Sequence, residues 1–187
     1  MDVPPLAIAV LSLLAERDMH PYEMIQTLRA RREDQWVKLR PASLYHKVDH
    51  LVARGLAQVV GTEQDGNRPP RTTYRLTEAG RELLVTWISA ALTVVENPYF
   101  AFSLALGELE ALGPEHAAQL LGERLVVLDD RIAQMRDSLE QGEAQGAERI
   151  WMLAHEHRLV TLTSERDYVA SLVHDIESKE LSWPTHP

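Results

Sequence analysis

The chain of 187 residues contains no cysteine, which removes disulfide frameworks and thiolate metal sites and fits a reducing cytoplasm. It also lacks a glycine-rich phosphate loop, a nucleophile elbow and an HExxH pair, and its scattered carboxylates form no recognisable catalytic couple. The string His155-Glu156-His157 is no substitute, because histidines two apart on a helix point about 200° apart and cannot share one ion. An enzyme is therefore not expected, nor a metal or other cofactor. Long apolar runs are missing too. The segment LAIAVLSLL, residues 6–14, is too short to span a bilayer, and Asp2 but no Lys or Arg precedes it, so it reads as a core helix rather than a signal-peptide core. No period of repeat length is visible.

An excess of positive charge is also absent, the formal net charge being −9. The distribution matters more than the sum. Residues 1–90 carry 12 Lys and Arg against 11 Asp and Glu, whereas residues 91–187 carry 7 against 17. The acid excess belongs to the second half, and the first half is free to present local cations to a polyanion.

What is present begins with apolar spacing. Helices are expected over about Leu6–Glu16 and Pro21–Arg32, the second with Tyr22, Ile25 and Leu28 as packing positions. Trp36 and Leu39 lie in a connector, where an aromatic reads as a core plug. Leu44, Val48, Leu51 and Val52 then form one stripe at i, i+4, i+7 and i+8, with Pro41 suited to the first turn and Gly55 to the C-terminal cap. Ser43, His46, Lys47, His50 and Arg54 occupy the other side, and each can donate a hydrogen bond to a groove edge or phosphate. Arg40 stands at the N-cap. Next, LAQVVGT and RTTYRLT alternate as strands around the turn-rich EQDGNRPP, with Asp65-Gly66 as the hairpin signal. Arg68 and Arg71 sit on that wing, Arg75 follows, and Pro69 and Pro70 stiffen it. Thr77 caps a fourth helix running from Glu78 to about Val95. Asn97-Pro98 marks the boundary to the second half.

The strings HPYEMIQTL, SLY and RPPRTTYRLTEAGREL, in that order, resemble the PadR-like family of phenolic-acid-responsive repressors, whose pattern runs close to HGYE, GSLYPAL and a Pro-Arg wing before YxLTxxG. The motifs span roughly residues 6–90. This sequence departs at Pro21 and Ala42, where Gly is usual, at His46, where Pro is usual, and at Thr73, where an aromatic is common. The resemblance implies a repressor of double-stranded DNA. It also brings Tyr45 near the DNA backbone, as an alternative to a ring that packs with its hydroxyl exposed. The expected DNA face is thus Arg40, Ser43, Tyr45, His46, Lys47, His50, Arg54, Arg68 and Arg71.

In the second half, Leu121, Leu125, Leu128, Ile132, Met135 and Leu139 step by 4, 3, 4, 3, 4 along a helix from Pro114 to about Gln141. Gly142 to Gly146 breaks it. A second long helix from about Ala147 to Lys179 carries Trp151, Leu162, Val169, Leu172, Val173 and Ile176 on its apolar positions. Two such helices suggest an antiparallel hairpin whose six-residue seam is covered by a partner chain, or alternatively by the fourth helix and the Phe100 segment. Trp87, Tyr99, Phe100 and Trp151 could line a pocket for a small aromatic or hydrophobic effector, or simply pack a core. The resemblance also implies dimerisation through the C-terminal helical part.

The expected fold class is mainly α with a small β-hairpin. A winged helix-turn-helix DNA-binding domain at 1–95 precedes an α-helical dimerisation and possible effector domain at 96–187. The expected protein is a cytoplasmic homodimeric repressor with no membrane partner, whose inverted-repeat operator has half-sites about 10 bp apart or a multiple. A dimeric winged-helix scaffold that binds a protein or ligand and no longer reads DNA is the alternative.

Overall fold

A computed structural model describes residues 3–63, 71–94 and 101–183. The chain divides into two compact units, Met1–Asn97 and Pro98–Pro187. The hairpin turn at Asp65-Gly66, the stiffening Pro69 and Pro70, and Asn97-Pro98 lie outside the described residues.

In the first unit α1, Pro5–Glu16, is buried nearly all round, with Leu6, Ile8, Val10, Leu11, Leu13 and Leu14 in the core, as its unbroken apolar run requires. Helix α2, Pro21–Ala30, starts on a His20 cap whose Nδ1 accepts the Glu23 amide at 3.1 Å. Its buried stripe is Pro21, Met24, Ile25 and Leu28 at i, i+3, i+4 and i+7. Tyr22 falls about 100° off that stripe, so the packing role expected of it passes to Met24, and its exposed ring stacks on His20 instead. Trp36, half-buried, is joined in the connector by the fully buried Val37.

Helix α3, Pro41–Ala53, buries Leu44, Val48 and Leu51. It ends in a left-handed turn at Gly55, φ +69°, where the Leu56 amide reaches Leu51 O at 2.9 Å and the Gly55 amide reaches Val52 O at 2.9 Å. That paired closure satisfies the last carbonyls and needs the missing Cβ. Strands β1, Ala57–Glu63, and β2, Arg71–Leu76, pair antiparallel, with a register shift between Val59 and Gly61. Ala57, Tyr74 and Leu76 face the core, and beyond them Val59 and Val60 are exposed as the bulged strand leaves it. On the other edge of β2, Met19 and Tyr74 exchange amide hydrogen bonds at 3.1 and 3.0 Å. The wing root is thereby held on both edges of β2.

Helix α4, Glu78–Thr93, begins where α3 ends. The Thr77 hydroxyl accepts the Gly80 amide at 3.1 Å and donates to Gly55 O at 2.7 Å, while the Thr77 amide donates to Leu56 O at 3.2 Å. Gly80 lies so close that a Cβ there would stand 2.1 Å from Leu56 O and 2.7 Å from Leu76 Cδ1. Leu84 completes the buried side, with Leu83 and Trp87 packed at its margin.

The second unit opens with α5, Ala101–Gly107, and a turn of 3-10 helix, Leu109–Ala111. Helices α6, Pro114–Ala144, and α7, Leu153–Glu177, form an antiparallel hairpin joined through a 3-10 turn, Arg149–Trp151. The first helix ends at Ala144, within the Gly142–Gly146 break that the sequence predicts, and the Met152 side chain packs against Gly142. The stop comes at Gly146, φ +72°, with the Ala147 amide on Gly142 O at 3.0 Å and the Gly146 amide on Glu143 O at 2.9 Å. Leu121, Leu128 and Ile132 pack with Leu162, Val169 and Ile176, and Met135 is buried as well. Leu125 and Leu139 are partly buried. The seam expected to await a partner is thus spent largely inside the hairpin, because the short connection brings α7 back over it. Trp151 is 64% exposed, and Met152 fills the position expected of it. The unit is mainly helical, as is the chain, and no described helix is long and apolar enough to cross a membrane.

Gly80→Ala should destabilise the first unit by about 3 kcal/mol, since the new methyl meets backbone rather than a yielding side chain. Urea unfolding followed by circular dichroism reads the shift in midpoint.

Candidate nucleic-acid interface

The outer side of α3 follows from its inner one. With Leu44, Val48 and Leu51 fixed in the core, helical geometry turns Ser43, His46, His50 and Arg54 to solvent and leaves Lys47 half-buried at the margin. Arg40, the N-cap residue, is exposed and contributes no side-chain cap, so its guanidinium is not consumed by the helix it begins. Arg71 is exposed on the first position of β2. Arg68 lies outside the described residues.

Pairing separates these cations from others nearby. Arg31 makes a bidentate bridge to Glu16 at 2.6 and 2.7 Å, and Arg75 makes one to Asp18 with contacts of 2.6–3.1 Å. Among the described residues Arg40, Lys47, Arg54 and Arg71 have no such partner, as is also true of Arg29, Lys38 and Arg81 elsewhere on the unit. The particular feature of α3 and its flanks is density. Arg40, Lys47 and Arg54 fall within fifteen residues that hold a single acid, Asp49.

Tyr45 is 47% exposed, so its ring is neither a core plug nor fully free. Burial raises the Tyr74 hydroxyl above its ordinary range, with the charge of Asp49 and then Tyr45 adding to it. That influence puts Tyr45 and Asp49 on the β2 side of α3, with Ser43, Lys47, His50 and Arg54 on the other flank. His46 lies between the flanks.

Of the residues expected to form an effector pocket, Tyr99 and Phe100 lie outside the described residues. Trp87 packs at the edge of the first unit's core, and Trp151 stands exposed in the second unit. Sequence spacing missed Asp18 and Met19, which hold the wing root. Arg75 alternates with Tyr74 and Leu76 and is therefore outward, but nothing in the strand pattern says that a residue 57 positions earlier neutralises it.

Residues 10–86 match the model of the transcriptional regulator PadR-like family. This segment is therefore similar to that family of regulators. The match takes in the latter part of α1, then α2, α3, the wing and the first half of α4. Among solved structures, Bacillus subtilis PadR in complex with operator DNA is similar at a TM-score of 0.78 with 18% identity, covering 94% of this chain and 99% of that one. The same protein in complex with p-coumaric acid gives 0.75 with 17% identity over 92% and 98%. The Vibrio cholerae virulence activator AphA gives 0.72 with 17% identity over 93% and 99%. At these identities the likeness concerns the fold, a winged helix-turn-helix followed by a helical unit. No curated protein matches the chain.

The first unit ties its wing root to Asp18. The Arg75 guanidinium holds the Asp18 carboxyl below its usual range. A carboxylate depressed in the folded state stabilises above its unfolded pKa, and that contribution is lost as the pH falls through the folded value. Asp18→Asn should therefore be less stable than wild type at pH 7, with the gap closing in strong acid. Equal gaps at pH 7 and pH 2 in thermal unfolding would show that the ion pair contributes nothing.

Proposed function

We propose that the protein is a cytoplasmic, non-enzymatic, homodimeric transcriptional regulator that represses by occupying an inverted-repeat operator and is released by a small aromatic or hydrophobic effector. One observation carries the reading: Arg40, Lys47 and Arg54 on and beside α3, together with Arg71 on the wing, have no ion-pair partner among the described residues. Helix α3 enters the major groove, where Ser43, His46 and His50 reach base edges and Lys47 and Arg54 meet phosphates. Arg71, with Arg68, approaches the flanking backbone, and Tyr45 supports a phosphate from the β2 side. The match of residues 10–86 to a family of transcriptional regulators supports regulation of transcription. The relatives in complex with operator DNA and with p-coumaric acid support operator binding and effector release.

A protomer whose reading unit is about neutral binds DNA weakly on its own, so affinity comes from two linked readers. Since the heptad seam is spent within the hairpin, the dimer uses what remains exposed. Leu120 and Val127 lie seven apart on one flank of α6, and Leu153 and Val160 seven apart on the back of α7. The variant Val127→Glu with Val160→Glu should sediment as a monomer and lose most operator affinity. An unchanged dimer would move the interface away from these faces.

The Lys47→Ala, Arg71→Ala variant should stay folded and dimeric. In fluorescence anisotropy against DNA from upstream of the protein's own gene, its slope of log affinity on log salt should fall by about two per protomer. Wild-type affinity in that variant would remove these residues from the interface, and equal binding of wild type to unrelated duplex would favour a scaffold that does not read DNA.

A further inference from the structure

The reading face carries chemistry beyond hydrogen bonding. Of the chain's eight histidines, His46 and His50 are the pair spaced four apart, and both lie in α3. Both are exposed, and neither has a hydrogen-bond or ion-pair partner among the described residues. Residues four apart on a helix have Cβ atoms about 5–6 Å apart, a spacing from which two imidazoles converge on one ion with Zn–N distances of about 2.0–2.1 Å. His155 and His157 fail this test by their spacing.

We propose that His46 and His50 chelate a divalent transition-metal ion of the imidazole-preferring class, such as zinc, on the outer face of the recognition helix. Among the described residues no group of three His, Cys, Asp or Glu gathers, so water completes the coordination and the site is open and exchangeable, not structural. The consequence for regulation rests on the proposed reading of DNA by α3, whereas the chelation does not. A hydrated ion on this face takes the ring nitrogens that would meet base edges and holds the helix away from the groove floor. Its charge still attracts phosphates. Metal therefore lowers preference for the operator more than it lowers general DNA affinity.

Calorimetric titration of Zn2+ into the full chain without DNA tests the chelate directly. Wild type should bind one equivalent that is absent from both His46→Ala and His50→Ala and retained in His157→Ala, with circular dichroism showing all variants folded. Retention of that equivalent in either α3 variant, or its absence from wild type, overturns the site. In anisotropy, saturating Zn2+ should cut the wild-type preference for operator over unrelated duplex by about tenfold, the worth of one good base contact, and EDTA should restore it. An unchanged preference with zinc bound overturns the regulatory role. A protein with no operator preference before zinc is added refutes the DNA reading, and the calorimetry then decides the chelate separately.

Discussion

The first unit depends on a close approach of backbones at the point where α3 ends, the wing begins and α4 starts. The carbonyls of Gly55 and Leu56 would be orphaned by the left-handed turn that closes α3, and Thr77 claims both through its hydroxyl and its amide. Its hydroxyl also receives the Gly80 amide, so one side chain serves a helix end and a helix start. This joint fixes the wing because β2 runs directly into it. Met19 and Asp18 hold the opposite edge of the same strand, through two amide hydrogen bonds and an ion pair. With both edges of β2 engaged, the angle between recognition helix and wing root is set by hydrogen bonds rather than by loop preference, and Arg71 inherits its position from that frame.

Energetically the two arrangements differ in kind. The joint links two helix ends and the start of the wing through one residue, with the Thr77 to Gly55 bond exposed and the Gly80 to Thr77 bond part-buried, so its value lies in holding three segments together. The Asp18–Arg75 bridge is exposed, and its value lies in direction more than in stability. In the second unit the corresponding ties are Arg124, which bridges to Glu165 while its guanidinium lies over the Phe102 ring, and the Trp183 indole, which donates to Leu112 O at 2.9 Å. Helix α5 buries no residue fully. These contacts, with Phe102, Leu109 and Leu112 at the edge of the hairpin core, therefore hold the segment before α6 in place.

Much of this was legible in the sequence where one physical rule dominates. Pro41 and Gly55 bracket α3, Thr77 caps α4, and the alternation of RTTYRLT gives β2, because each rests on local sterics or a local hydrogen bond. The stripe of α2 was read one residue out of phase at its start, since Tyr22 is apolar enough to be counted and Pro21 is easily overlooked as a core residue. The Gly142–Gly146 break of α6 is legible for the same local reason as the turn at Gly55, the left-handed turn falling on Gly146. The seam of α6 was visible, but a heptad pattern states only that a surface is covered. Which chain covers it is decided by the reach of the connection, and eight residues from Gln145 to Met152 suffice to return α7. Asp18 is illegible because its partner is far along the chain, and the alternation that turns Arg75 outward does not say which carboxylate meets it.

Charge then argues for how such a molecule meets DNA. In the second unit Arg124, Arg149 and Arg166 are all tied to carboxylates, Glu165, Glu156 and Asp129, so their charge is locally compensated and the surplus acid is left to set the field. That field falls off within about 8 Å at physiological ionic strength and so does not reach across a domain to weaken contacts made elsewhere. Its effect is on encounter, where an acidic surface approaching a polyanion is turned away and a face with unpaired cations is not. The first unit adds almost no net charge, so nonspecific attraction is kept low while Arg40, Lys47, Arg54 and Arg71 remain available at short range. On the proposed function, such a reader would gain little from charge in bulk and would obtain its selectivity from the fit of α3 and from linkage to a second copy. On that proposal, the rigidity of the wing root matters more than the total number of basic residues.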